Sequence, residues 1–223
     1  VQIHAMPLRV TRRAALAFGL STPALAQTTG LDAALRAAAA TPDLRTLVVA
    51  RGGEVVLSRV FRGGGLDAPA NIKSASKTLL ATLTGIALAR GVLDGLDQPV
   101  APLLPGRIPA EADPRVRDIT VGHLLAMKAG LEGTSGANYG AFVASRDWVR
   151  YALSRPMVDV PGGRMIYSTG STHILGTALV RDARRPLRDL MQDWLIGPLG
   201  FAVPEWQRDP QGVHFGGNEM ALS

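Results

Sequence analysis

Ser74 and Lys77 stand three residues apart in the run Asn71-Ile72-Lys73-Ser74-Ala75-Ser76-Lys77-Thr78-Leu79-Leu80. On a helix that spacing puts both side chains on one face, one turn apart. A serine hydroxyl is a weak nucleophile until a neighbouring base takes its proton. Lysine can be that base when desolvation or nearby positive charge lowers its pKa, whereas arginine stays protonated. The chain has three lysines against 21 arginines, so a lysine kept at this position is informative. Taken alone, the pattern also describes a solvated lysine in the first turn of a helix, and Lys73 adjoins the same serine without that spacing.

A second stretch, Pro161-Gly162-Gly163-Arg164-Met165-Ile166-Tyr167-Ser168-Thr169-Gly170, carries a tyrosine on a loop directly before a helical pattern. A phenol aimed into a cleft can hydrogen-bond a serine or relay a proton to a leaving group. Read in isolation, Tyr167 is an ordinary half-buried packing residue. Of the four histidines, His4 precedes the first methionine, His123 and His173 lie on apolar helix faces as packing residues, and His214 adjoins Gly216-Gly217. There is no Gly-x-Ser-x-Gly elbow, His-Glu-x-x-His pair, phosphate loop or dinucleotide fingerprint. Cysteine is absent, which excludes disulfides, thiolate metal sites and a cysteine nucleophile. No cofactor or metal is expected.

The elements that must hold these residues can be read from pattern and punctuation. Thr29 can cap an alanine-rich helix over residues 31–40. The β-branched runs 44–50 and 54–61, joined by Gly52-Gly53, predict a hairpin. From Ala75 the apolar residues Leu79, Leu80, Leu83, Ile86, Ala87 and Leu88 predict a broad-faced buried helix stopping at Gly91. Ser74 falls at its N-terminal end, where the positive dipole favours an oxyanion and disfavours a second positive charge on Lys77. Further helices are expected from Thr120 to Met127, 141–153, 171–181 and 187–196, with another starting at 219–223.

The composition is globular, 47% hydrophobic and 19% charged, without a run of about 18 apolar residues that would make a transmembrane helix. Half of the net charge of +6 sits on Arg9, Arg12 and Arg13, and the remaining arginines are scattered, so no nucleic-acid footprint is present. Residues 1–26 read as an export signal: a basic Arg9-Val10-Thr11-Arg12-Arg13, the apolar Ala14 to Leu20, and the small-x-small site Ala24-Leu25-Ala26 before Gln27. The arginine pair resembles a twin-arginine signal, which implies a periplasmic protein. Val1 to Ala5 precede Met6, a natural start that would make the first five residues artefactual.

Ser74-Ala75-Ser76-Lys77, followed some ninety residues later by Pro161-Gly162 and Tyr167-Ser168-Thr169-Gly170, resembles the penicillin-recognising serine hydrolases. The likeness is to the branch of class C β-lactamases, D-alanyl-D-alanine carboxypeptidases, family VIII esterases and 6-aminohexanoate-dimer hydrolases. Residues 119–131 and 206–217 look like that family's flanking segments. The resemblance implies an α+β fold of the β-lactamase/transpeptidase type, an antiparallel sheet flanked by helices with a helical subdomain. Residues 27–223 would form the N-terminal part of a single such domain, with its C-terminal strands and third motif missing from this chain. It also implies a serine hydrolase acting on an ester or amide bond of a small molecule or peptide. Ser74 would be the nucleophile, Lys77 the base, Tyr167 the proton relay, and the Ser74 backbone N–H one oxyanion donor. Thr169 stands where the family often has asparagine, in a substrate-binding position. Its hydroxyl lacks the paired donor and acceptor of an amide. The alternative from another class is a non-catalytic penicillin-binding or peptidoglycan-sensing domain.

Overall fold

The computed structural model describes residues 24–203 and 205–222. Most of the expected export signal, and His4, therefore lie outside the described residues. The chain divides into two compact units, residues 1–66 and 67–223.

In the first unit, helix α1 (Ala24–Ala40) starts earlier than Thr29 suggests. It is followed by β1 (Thr46–Arg51) and β2 (Glu54–Val60), which pair antiparallel as the expected hairpin. Gly52 and Gly53 have φ of +59° and +87°, the left-handed values that let a two-residue turn match strand twist. The register shifts between Val49 and Ala50, a bulge. The Arg62 guanidinium donates to the carbonyls of Ala39, Thr41 and Leu44, so one side chain satisfies the C-terminal end of α1 and the chain leading into β1. Val48, Val55, Val56 and Val60 are exposed. A two-stranded ribbon with uncovered valines is a low-stability element. Amide hydrogen exchange should therefore be fast in the hairpin and slow in the buried helix α6 described below. Equal protection in the two would contradict this.

The second unit opens with β3 (Ala70–Asn71), which pairs antiparallel with β4 (Ala221–Leu222). The end of the chain is thus a strand where the sequence suggests a helix start. Its Met220 carbonyl accepts the Ile72 N–H, and that pairing outweighs local pattern. A 3₁₀ turn, Lys73–Ala75, then runs into α2 (Ser76–Ala89), which buries Leu80, Leu83 and Ala87. Helix α3 (Val121–Leu125) is capped as expected: the Thr120 hydroxyl accepts the His123 N–H, and His123 Nδ1 accepts the Thr120 N–H. The single helix expected over 141–153 is two, α4 (Tyr139–Ala144) and α5 (Trp148–Leu153). The break comes where the Asp147 carboxylate accepts the Arg150 N–H at 2.8 Å and starts a new helix.

Helix α6 (Thr169–Ala183) is the buried centre of this unit, with every residue from Thr169 to Leu179 inside. Its polar residues are satisfied in place: Thr172 and Thr177 donate to the carbonyls of Thr169 and His173. Helix α7 (Leu187–Met191) continues through a π-helical turn to Ile196. Leu187, Leu190 and Met191 join Phe142, Trp148, Ile174 and Leu175 in one core. No described helix is long and apolar enough to cross a membrane.

Candidate active site

Ser74 lies in the 3₁₀ turn ahead of α2, directly after Lys73, whose φ of +48° is unusual for a residue with a side chain. Two contacts hold Lys73 there. Its N–H donates to Asn71 Oδ1 at 2.9 Å, and its ammonium pairs with Glu219 at 2.9 Å. Glu219 also takes a short hydrogen bond from the Asn71 side chain. The segment leading into β4 thus pins the backbone on which Ser74 is displayed. Ser74 is exposed, while its neighbour Ser76 is buried and donates to the Lys73 carbonyl at 2.7 Å. Of the two serines, only Ser74 presents its hydroxyl.

Lys77 follows one turn later and turns its Nζ to Ser74 Oγ at 3.2 Å. The Gly217 carbonyl accepts from the same Nζ at 2.6 Å and Thr169 Oγ1 at 3.4 Å. Burial holds the Lys77 pKa below its ordinary value, and the neighbouring Tyr167 phenol works in the opposite direction. Nζ lies 5.4 Å from the centre of the Tyr167 ring. Ser74, Tyr167 and Thr169 line one open cleft of about 350 Å³ together with Lys73, Ser135, Tyr139, Asn218 and Glu219. The four residues expected from the sequence, Ser74, Lys77, Tyr167 and Thr169, are therefore brought together.

Three segments converge on this point because their backbones are interlocked. Ile166 N–H donates to the Met127 carbonyl. Thr134 Oγ1 accepts the Gly170 N–H at 2.7 Å, and Ser135 Oγ accepts the Thr169 N–H at 3.0 Å. The first turn of α6 is thus capped by hydroxyls from another loop, while Ser168 at its own N-cap makes no such bond. Gly170 permits the approach, since a Cβ there would sit 2.7 Å from Thr134 Oγ1.

Gly217 is placed by a buried pair. His173 Nε2 meets Asp209 Oδ2 at 3.0 Å, both side chains fully enclosed, and His173 Nδ1 accepts the Gly216 N–H at 3.2 Å. Asp209 Oδ1 accepts the N–H groups of Gln211 and Val213. Burial acts to raise the Asp209 pKa, but His173 and the two backbone donors outweigh it and hold the carboxyl below the usual range. The expected packing role of His173 is thus also an anchoring role. His214 lies away from the cleft, in a groove with Arg184 and Arg208. Burial and the nearby arginines push its pKa down to about 4. Ser135, Asn218 and the Gly217 carbonyl are site components that the sequence reading did not single out. A backbone carbonyl carries no side-chain signature, and Ser135 sits in a glycine-rich loop without a motif.

This arrangement can support serine-based acyl transfer, and comparison with known proteins agrees with the fold. No curated protein matches the chain. Among solved structures it is similar to a candidate beta-lactamase from Bacteroides dorei DSM 17855, at 20% identity and TM-score 0.69 over 87% of this chain and 59% of that one. It is also similar to a beta-lactamase/D-alanine carboxypeptidase from Yersinia pestis, at 19% identity and TM-score 0.62 over 80% and 59%. A third is the octameric penicillin-binding protein homologue from Pyrococcus abyssi, at 18% identity and TM-score 0.65 over 88% and 53%. The chain thus spans between 53% and 59% of the length of these structures. The family model for Beta-lactamase matches residues 31–216, and with its fold of the β-lactamase/transpeptidase type the chain belongs to the Beta-lactamase family.

Proposed function

We propose that the chain carries the nucleophile and base of a serine hydrolase that cleaves an ester or amide bond in a small molecule or peptide. Ser74 Oγ attacks the carbonyl carbon while its proton passes to Lys77 Nζ. The tetrahedral intermediate collapses, the leaving alcohol or amine takes a proton through Tyr167, and water hydrolyses the acyl-enzyme. The Ser74 backbone N–H serves as one oxyanion donor. One observation carries the reading. Lys77 Nζ sits 3.2 Å from Ser74 Oγ in surroundings that lower its pKa, with Gly217 and Thr169 accepting its other protons. β-Lactams and D-amino-acid peptides fall within this substrate class. The proposal includes a periplasmic location reached through the signal at residues 1–26, supported by its arginine pair and Ala24-Leu25-Ala26.

A fluorophosphonate probe tests the nucleophile. Peptide mass spectrometry of the intact protein should find the adduct on Ser74. An adduct on Ser76, Ser168 or Ser171, which are all buried, would move the nucleophile elsewhere.

A further inference from the structure

Away from the cleft, a groove of about 340 Å³ is formed by the end of α6, the start of α7 and the turn 208–214. It has no lining residue in common with the cleft that holds Ser74. Four arginines gather around it, and the fold engages two of them. Arg185 pairs with Asp193, and the Arg188 guanidinium donates to the Val203 carbonyl. Arg184 and Arg208 line the groove and are exposed, and among the described residues neither has an ion pair. Arg208 is held in place all the same. Its Nε donates to His214 Nε2 at 3.2 Å, and residues 208 and 214 form an antiparallel bridge. The buried His214 ring packs on Trp206, with centres 5.3 Å apart. A guanidinium Nε–H can only donate, so His214 Nε2 accepts. Burial and the charges of Arg208 and Arg188, with Asp189 acting in the opposite sense, hold that ring at a pKa of about 4, so it is neutral at pH 7. The bond leaves both NH₂ groups of Arg208 without a protein partner among the described residues. A helix end attracts basic residues through its dipole alone, and Arg181 in the last turn of α6 fills that role. Arg184 lies past it at φ +52°, a left-handed position where glycine or asparagine is the usual cap.

We propose that this groove binds an organic anion, with a carboxylate or phosphate head on Arg184 and Arg208 and a short apolar body on Val180, Pro186, Leu187 and Val213. Guanidinium groups without an ion pair are the donors that suit a head with two or more oxygens. The four apolar side chains line the same groove and suit a hydrocarbon body. The volume is about ten times that of a water molecule, so a bare inorganic ion would leave most of it empty. The inference is independent of the acyl-transfer reading, because none of these residues lines the cleft.

Binding is read from the ring signals of His214 in NMR spectra of the intact protein, at neutral pH and constant ionic strength. Hexanoate or hexyl phosphate should shift those signals saturably, and the tighter binder of the two identifies the head. Hexanamide, which keeps the body without the charge, should leave them in place. Arg208→Gln retains an N–H donor for His214 and loses the charge. Arg184→Gly loses the charge and suits the left-handed backbone, so its melting temperature should not fall. Each substitution should weaken binding of the anion by about 3- to 10-fold, the worth of one charge-assisted hydrogen bond near the surface. The proposal is overturned if neither anion gives a saturable shift, or if hexanamide matches hexanoate. Undiminished binding in a folded Arg184→Gly would also overturn it, by placing the ligand elsewhere.

Discussion

Lys77→Arg should abolish acylation of Ser74 while leaving a positive charge in place. Lysine at this position can work as a base only because it can be neutral, and burial lowers its pKa. A guanidinium keeps its proton at any pH at which the protein is folded. It is also bulkier, and the site has no room to spare: a Cβ on Gly217 would already lie 2.6 Å from Lys77 Cγ. Loss of one general base typically costs ~10²–10⁴-fold in rate, and the turnover of p-nitrophenyl butyrate should fall into that range. The pH dependence supplies an independent check. Because the pKa is lowered, neutral Lys77, the form that the proposed mechanism uses, gains population as pH rises through a value below 10.5. The parent kcat/KM should therefore climb along an acid limb with its inflection below that value, and Lys77→Arg should lose the limb. Hydrolysis by Lys77→Arg within a few-fold of the parent would remove Lys77 from the mechanism.

The pairing of Ser74 with Lys77 was legible because the two belong to one helical turn. The spacing of Ser74 and Lys77, and the apolar face of α2, are local facts that a sequence states directly. The hairpin was legible for the same reason, through Gly52-Gly53 between two β-branched runs. The rest of the site is built from partners distant in the chain. The contacts of Lys77 with Thr169 and Gly217 bridge 92 and 140 residues. Nothing near Gly217 marks its carbonyl as the one that will hold an ammonium. The two-residue strand β4 is too short to show a period, and its partner β3 lies at the opposite end of the unit. Helix α6 was recognisable as a helix, but its central burial was not. Thr172, His173 and Thr177 interrupt the apolar stripe, and their polar atoms are satisfied by neighbours that only the fold brings together. The break between α4 and α5 could have been found, since Asp147 is a cap residue at the right place.

Asp209→Asn should cost about 2–4 kcal/mol of stability, through the tautomer it forces on His173. His173 Nδ1 accepts the Gly216 N–H, so the ring proton resides on Nε2 and points at Asp209 Oδ2. In the asparagine variant the carbonyl oxygen can keep the N–H groups of Gln211 and Val213, as Oδ1 does now. Its NH₂ then faces the His173 Nε2–H, donor against donor. Moving the ring proton to Nδ1 relieves that clash and creates another with the Gly216 N–H. Turning the amide over abandons the two backbone donors instead. Every arrangement leaves a buried group unpaired. For a chain of this size the loss should lower Tm by roughly 5–15 °C. The pH dependence has a definite sign. The folded pKa of Asp209 is depressed below 3.8, so its contribution is fully present above the unfolded value and is lost as pH falls through the lower folded one. The parent should lose stability over that acid interval, and Asp209→Asn should lose correspondingly less. Activity should fall with stability, since a displaced Gly216 carries the Gly217 carbonyl away from Lys77 Nζ. Melting curves and ester hydrolysis at neutral pH read both effects. A variant that melts with the parent and keeps its kcat would show that the His173–Asp209 pair does not hold the carbonyl in place.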